Sequence, residues 1–437
     1  MSLADSNPSF PDLSAESQTP ASWVFLLLIA ALPIVWPFSF RWRGLVVSLV
    51  DPIFVLAGCA WIFGVITKRT RIYWSWFYLP LGFYLIILSL SALASVNQQL
   101  SAVKLVGKIY LVALAVLSFN LIRSTGFMRR TAAAWQLGTI VTIVGSLAGI
   151  VLFYAGLKNP AANRVLHGYG SLPKGNYPRI AGLFDYAAML CNYLSVSLML
   201  ALMMWSLGWL TTRWLRPLMI GILGISLFTF TPGLGGVPLS LGIWLCLYLK
   251  ERGRPLLARI ALVGAIALAV TALAASAVTF YSYTWDGTES PAAHSELKAS
   301  RRAIAWQTAF ETFKQYPILG RGVGLPVSSA PYVNPSGGRG TLTDAHNTYL
   351  SLAGESGLFG ILAFGGIIVF LLWRVSPLQL NGPINVVIKT YLVLALVDAF
   401  LFQSLIGSFE DTRHLWVLFG MLAATKEGFE KSVSPSP

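Results

Sequence analysis

From Trp23 to Leu422 the chain alternates long apolar runs with short polar connections. A helix needs about 20 largely apolar residues to cross the hydrocarbon core of a bilayer, and it satisfies its own backbone hydrogen bonds there. Hydropathy predicts about twelve such spans. They fall near residues 22–40, 45–67, 74–95, 104–122, 132–156, 181–208, 217–231, 234–249, 260–281, 353–373, 385–408 and 414–425. The fold class expected is an all-α polytopic membrane protein, with a large, partly helical loop between spans 9 and 10.

Composition and charge sharpen that picture. Of the 437 residues 56% are hydrophobic and 11% charged, against roughly 25% charged in a soluble domain, so a soluble protein is excluded. The 31 Lys and Arg against 17 Asp and Glu give a net charge of +14. In a membrane protein such an excess reports loop topology and contact with anionic lipids, and no nucleic-acid-binding pattern accompanies it. Connections after even-numbered spans hold Lys68, Arg69, Arg71, Arg123, Arg129, Arg130, Arg213, Arg216, Lys250, Arg252, Arg254, Arg259 and Arg374. The short connections on the opposite side hold Arg41, Arg43, Lys104, Lys108 and Arg413. The excess of positive charge in cytoplasmic loops therefore puts both termini inside. The expected layout is a disordered cytoplasmic tail (1–21), spans 1–9 (22–281), an outer loop (282–352), spans 10–12 (353–425) and a second cytoplasmic tail (426–437). Residues 157–180 also fall outside. Cys59, Cys191 and Cys246 lie in apolar runs without CxxC spacing, as space-filling residues would.

The outer segments concentrate cations: Lys158, Arg164, Lys174 and Arg179 in one; Lys298, Arg301, Arg302, Lys314, Arg321 and Arg339 in the other. Residues 300–316 read as an amphipathic helix, with Ser300 as N-cap and Pro317 beyond its end. Trp306, Phe310 and Phe313 form an aromatic stripe expected to be buried, which Arg302 continues while Arg301 turns to another face. A guanidinium on that face requires an anion: Glu296 or Glu311 in a salt bridge, or a bound phosphate, for which Arg offers a planar fork. Arg179, beside Pro178, stands at the membrane edge as an interfacial anchor or a second phosphate ligand. The clusters Gly320-Arg-Gly-Val-Gly324 and Gly337-Gly-Arg-Gly340 permit tight turns but match no P-loop.

Among the histidines, His346 stands out in Thr-Asp-Ala-His-Asn-Thr-Tyr-Leu, where the loop re-enters an apolar helix; His167 and His294 lie in polar loop and His414 opens the last span. Asp344-x-His346 alone is a poor metal site, and neither HExxH nor a Cys/His cluster occurs, so no metal or cofactor is expected. Asp185, Lys389 and Asp398 fall inside predicted spans, where ionisable groups are functional candidates; a transporter would draw on these three.

The joint spacing of Arg302-x-x-x-Trp306, Phe310, Phe313, Pro317-Ile-Leu-Gly320-x-Gly322-x-Gly324, Ala345-His346-Asn347-x-Tyr349-Leu350 and Glu355-x-Gly357-x-x-Gly360 resembles the shared segment of the O-antigen ligase and polymerase superfamily. Arg179 with Gly182 and Phe184 is similar to that family's upstream arginine motif. The resemblance implies a GT-C-like glycosyltransferase of the bacterial inner membrane whose active site faces the periplasm. It transfers a glycan from undecaprenyl diphosphate to a sugar hydroxyl of the lipid A core, without metal or nucleotide. Carried over by motif, the catalytic residues fall on His346, Arg302 and Arg179. Arg301, its partner in the doublet, joins Asn347, Tyr349 and Arg321 as substrate-binding candidates. Polymerases and protein O-glycosyltransferases share parts of this segment, and the lack of a large C-terminal extension favours ligase. A lipid-linked glycan flippase is the alternative outside the enzyme class.

Overall fold

In the computed structural model the described residues are 19–35, 38–42, 45–156, 165–166, 179–282, 295–333, 339–373 and 378–427. The candidates Lys158, Arg164, His167, Lys174, His294 and Arg374 lie outside them, as does most of the two expected tails. The helices in chain order are α1 (Pro20–Ala31), α2 (Val50–Ile66), α3 (Tyr78–Leu93), α4 (Gln98–Leu121), α5 (Thr125–Tyr154), α6 (Ala187–Ser206) and α7 (Thr212–Leu227). They continue as α8 (Gly236–Glu251), α9 (Pro255–Ala277), α10 (Arg301–Gln315), α11 (Thr348–Leu372), α12 (Ile384–Leu396) and α13 (Arg413–Glu427). Polar residues at the starts act as caps, taking up backbone N–H groups that the first turn leaves without partners. Asn97 accepts from Leu100 N at 3.1 Å and Ser124 from Phe127 N at 3.0 Å.

Among the described residues seven helical segments are long and apolar enough to cross a membrane, and α1, α2 and α3 are shorter apolar helices. The chain is therefore a multi-pass, largely helical membrane protein. Helix α6 is the centre of the bundle: nearly every residue from Leu190 to Met204 is buried. Trp135 of α5 stacks on Tyr193 of α6 with ring centroids 5.2 Å apart. The outward faces of α5 and α9 remain apolar and exposed, as at Val144, Val151, Val263 and Val270. Such a surface needs a lipid environment.

Side-chain and backbone ties sort the connections onto two ends of the bundle. At one end, Glu251 accepts from the backbone N–H of Leu380 at 2.7 Å and from Asn381 Nδ2 at 2.7 Å, and Tyr73 N donates to Asn120 Oδ1 at 3.0 Å. This end carries Lys68, Arg69, Arg71, Arg123, Lys250, Arg252 and Arg254. At the other end, Val96 N donates to Arg321 O, Ile180 N to Phe228 O, Ser300 N to Ala277 O and Thr348 N to Gly407 O. The long segments gather there.

Among the described residues four two-stranded antiparallel sheets also occur, which the hydropathy pattern does not predict: β1 (Phe40–Trp42) with β2 (Leu45–Val47), β3 (Val165–Leu166) with β4 (Arg179–Ile180), β5 (Val278–Ser282) with β6 (Ser295–Ala299), and β7 (Ala330–Val333) with β8 (Arg339–Leu342). The register Val278↔Ala299 lets β5 leave α9 and β6 return directly to the cap of α10.

Two sequence expectations need correction. Lys104 and Lys108 are not connection charges but part of α4, and Lys108, 3% exposed, pairs with Asp411 at 2.6 Å. Arg413 opens α13 and bonds Asp51 through Nε (2.9 Å) and Nη2 (2.8 Å). Asp185 does not lie within a span: α6 begins at Ala187, so Asp185 sits in the turn before it.

Candidate functional site

The end of the bundle that gathers the long segments is organised around a break in α11. Gly357 has φ 66° and ψ −163°, so the helix ladder is interrupted. The freed groups are not left bare, because residues 317–322 run alongside and replace the missing partners. Arg321 N donates to Gly354 O at 2.8 Å, Gly322 N to Glu355 O at 3.0 Å, and Leu358 N to Pro317 O at 2.8 Å. This close approach is what the glycine motif serves. A Cβ on Gly320 would lie 2.3 Å from the Glu355 carbonyl, and one on Gly357 2.3 Å from Ile318 O. The cluster is thus a packing device, consistent with its mismatch to a phosphate loop.

Helix α10 hangs from the end of α9. Ser300 Oγ donates to Ser276 O at 2.8 Å and accepts from Ala303 N at 3.2 Å, the N-cap that the sequence predicts. The buried face is not the aromatic stripe expected from the periodicity. It is formed by Ala305 and Ala309, while Phe310 is 47% exposed and Trp306 packs only partly, against Phe402 and Ile406. Small residues win because α10 lies close to the extended segment 327–328: Thr312 Oγ1 donates to Val327 O at 2.9 Å, and Thr308 pairs with Ser328 at 2.9 Å. Val327 N in turn donates to Thr343 O at 2.9 Å. These ties bring the first turn of α10, with half-buried Arg302, to the segment that precedes α11.

There Asp344 and His346 form a compact unit. Asp344 Oδ1 accepts the backbone N–H of His346 at 2.7 Å and also contacts its ring Nδ1. His346 adopts φ 47°, in the left-handed region that non-glycine residues seldom occupy. Its side chain is 40% exposed and that of Asp344 48%, so the unit opens outward. Burial pushes the Asp344 carboxyl up, but the hydrogen bond and charge of His346, with the field of Arg302, more than offset it and hold the carboxyl below its ordinary range. Arg302 and His346 therefore act on one carboxylate.

The other candidates are distributed around this unit. Arg179, in β4, donates from Nε to Thr229 O at 2.9 Å. The turn after Thr229 abuts the one that ends α12, since a Cβ on Gly233 would lie 3.0 Å from Gln403 Oε1. That second turn also receives Asn347, whose Nδ2 donates to Leu405 O at 3.0 Å and whose Oδ1 caps α11 through Leu350 N at 3.1 Å. Arg179 and His346 are thus anchored to neighbouring turns. Tyr349 donates its hydroxyl to Leu401 O at 3.2 Å, and Arg321 donates from Nη1 to Pro326 O at 3.1 Å. Asn347 and Tyr349 already have protein partners, which gives them a framework role. Arg301, the first residue of α10, is exposed.

Sequence reasoning weighed Asp344 only as a metal ligand; its offset of two residues from a histidine is the signal of a side chain that accepts from the backbone two residues on. It also did not find the cluster in which Lys108 faces Asp411, Glu355 and Glu410. Asp398 is buried beside Gly236 at the start of α8, accepting from Gln403 Nε2 at 2.9 Å and Ser240 Oγ at 3.1 Å. His414 is buried too, its Nε2 2.7 Å from Asn192 Oδ1.

No curated protein matches the chain. A family model described as O-antigen ligase matches residues 231–365, which run from the turn before α8 into α11 and include Arg301, Arg302, Arg321, His346, Asn347 and Tyr349 but not Arg179. The stretch holding Arg302, Asp344 and His346 is therefore a domain of the O-antigen ligase superfamily.

Proposed function

We propose that the protein is a glycosyltransferase of the bacterial inner membrane, an O-antigen ligase that moves a glycan from undecaprenyl diphosphate to a hydroxyl of the lipid A core. The observation that carries this reading is the Asp344–His346 pair, lying within the field of the Arg302 charge, in an outward-opening unit within the family-matched segment. The concentration of Lys and Arg at the opposite end of the bundle supports a periplasmic orientation for this unit.

The chemistry follows from the groups present. A sugar diphosphate is already a good leaving group, and fixed cations meet the charge that develops on it as the anomeric bond breaks. Arg302 takes that role with Arg179, each through a planar fork suited to phosphate. Arg301 and Arg321 extend the basic surface toward the carrier or glycan. The unprotonated nitrogen of a neutral imidazole accepts the proton of the attacking hydroxyl, so His346 serves as general base. The new glycosidic bond forms as the bond to the diphosphate oxygen breaks, and one displacement inverts the anomeric configuration. Asn347 and Tyr349 hold the turn that presents the histidine.

The test is His346→Ala in a strain deleted for the chromosomal copy. Expected is normal membrane insertion, accumulation of long lipid-linked polymer and no glycan on the lipid A core. Accumulation of single repeat units instead would assign the protein to chain polymerisation, and normal core attachment would remove the proposed base. A flippase would keep attachment in this variant but lose translocation with Asp398→Ala or Lys389→Ala.

A further inference from the structure

We infer that Asp344 is the positioning residue of this site: one carboxylate that orients the His346 imidazole with its second nitrogen toward the acceptor hydroxyl. The inference rests on the proposed glycosyl transfer and deepens it.

The geometry is specific. Asp344 Oδ1 receives two groups of the same residue, the backbone N–H at 2.7 Å and the ring Nδ1. The first contact holds His346 at φ 47°, a conformation costly for a side chain with a Cβ and retained where surrounding contacts impose it. The second fixes the ring. A carboxylate is acceptor-only, so Nδ1 must carry a proton, and the neutral ring then has its lone pair on Nε2. The rest of the turn is equally constrained, with Ala345 fully buried and Asn347 bonded to Leu405 O and Leu350 N. The histidine thus has little freedom in backbone or ring, while its 40% exposure leaves the far edge open.

Of the charged groups that act on Asp344, Arg302 lies on α10 and His346 in the same turn. As the acceptor oxygen bonds to the anomeric carbon, its proton passes to Nε2 and the electron pair of the breaking bond leaves on the diphosphate. The imidazolium formed is met by the Asp344 charge. The acid therefore holds the base in a fixed orientation, so that the imidazole does not have to reorganise during transfer.

Asp344→Asn is the informative variant, since an amide oxygen still accepts the backbone N–H but the charge is lost. With undecaprenyl-diphosphate-linked O-antigen as donor and O-antigen-free lipopolysaccharide as acceptor, kcat should fall by about 10²–10⁴-fold, the scale seen when an orienting carboxylate beside a catalytic histidine is neutralised. KM for the acceptor should change by less than about threefold, because no substrate contact is removed. Independently of activity, ¹⁵N spectra of histidine-labelled wild-type protein should show the His346 ring protonated at Nδ1, assigned by the signal missing in His346→Ala. Asp344→Asn should convert it to a tautomer mixture. Wild-type kcat in Asp344→Asn, or a wild-type ring protonated at Nε2 alone, would overturn the inference. If Asp344→Asn fails to fold, the wild-type spectrum decides. Activity in His346→Ala would instead sink the glycosyl-transfer reading itself, whereas an inactive His346→Ala beside an active Asp344→Asn would sink only the positioning role.

Discussion

Arg302 illustrates how much a single side chain's identity carries. From the first turn of α10 its charge reaches the Asp344 carboxylate, and in the proposed transfer its fork meets the diphosphate; a lysine at this place keeps the charge while losing planarity and bidentate geometry. Arg302→Lys is therefore expected to insert normally and lose about 10²-fold or more of transfer, a single oxyanion donor being worth that much elsewhere. Near-normal transfer would reduce Arg302 to surface charge. Asp344 adds a pH dependence whose sign is fixed by its depressed folded-state pKa. Its stabilising contribution is fully present above its unfolded pKa of about 4 and is lost as pH falls through the lower folded value. The stability gap between wild type and Asp344→Asn should thus persist from neutral pH to about pH 5 and close below about pH 4, read by thermal unfolding in detergent.

Elements are decided by backbone as much as by side chains, and α11 shows it. The apolar run from Leu350 onward reads as an uninterrupted helix, and the break at Gly357 becomes intelligible only when residues 317–322 lie beside it to satisfy the freed groups. Irregular backbone at membrane depth is tolerated where protein covers it. Gly357→Ala places a methyl 2.3 Å from a carbonyl oxygen at a φ that alanine avoids. It should cost more than the roughly 1–3 kcal/mol of backbone strain alone and lower the thermal midpoint. Gly365→Ala and Gly366→Ala, in the same helix with nothing within 4 Å, should leave it unchanged or raised. Equal effects at 357 and 365 would contradict this account of the break. The same lesson holds for α10, where a periodicity centred on Trp306 and Phe310 is displaced by Ala305 and Ala309 because the 327–328 segment comes too close for rings.

Across the whole molecule, the end that carries the site is held by ion pairs between residues remote in the chain. Lys108 of α4 is buried and faces Asp411, with Glu355 of α11 and Glu410 also acting on it. Removing one partner of a buried pair leaves an uncompensated charge and costs about 3–5 kcal/mol. Lys108→Met should therefore destabilise strongly, since it strands the buried Glu410. Asp411→Asn should cost less, because Asp411 is 60% exposed and two other acids still face the lysine. The reverse order, measured by thermal unfolding in detergent, would show that the remaining acids do not compensate. Lys104, Lys108 and Arg413 read as loop charges because a hydropathy profile treats each run separately, with no sight of the acids that face them from other helices.

By itself the sequence determined the membrane class, the helical runs and the family motif around Arg302 and His346, because hydropathy sums over neighbours and motif spacing is a local property. The Ser300 cap was legible for the same reason. Only the tertiary structure decided that Asp344 holds His346, that the glycines pack against a broken helix, and that Lys108 of α4 is a buried counter-ion. Each of these depends on contacts across tens to hundreds of residues, where the deciding quantity is the desolvation of a charge or the close approach of two backbones, and neither is written in the order of the residues.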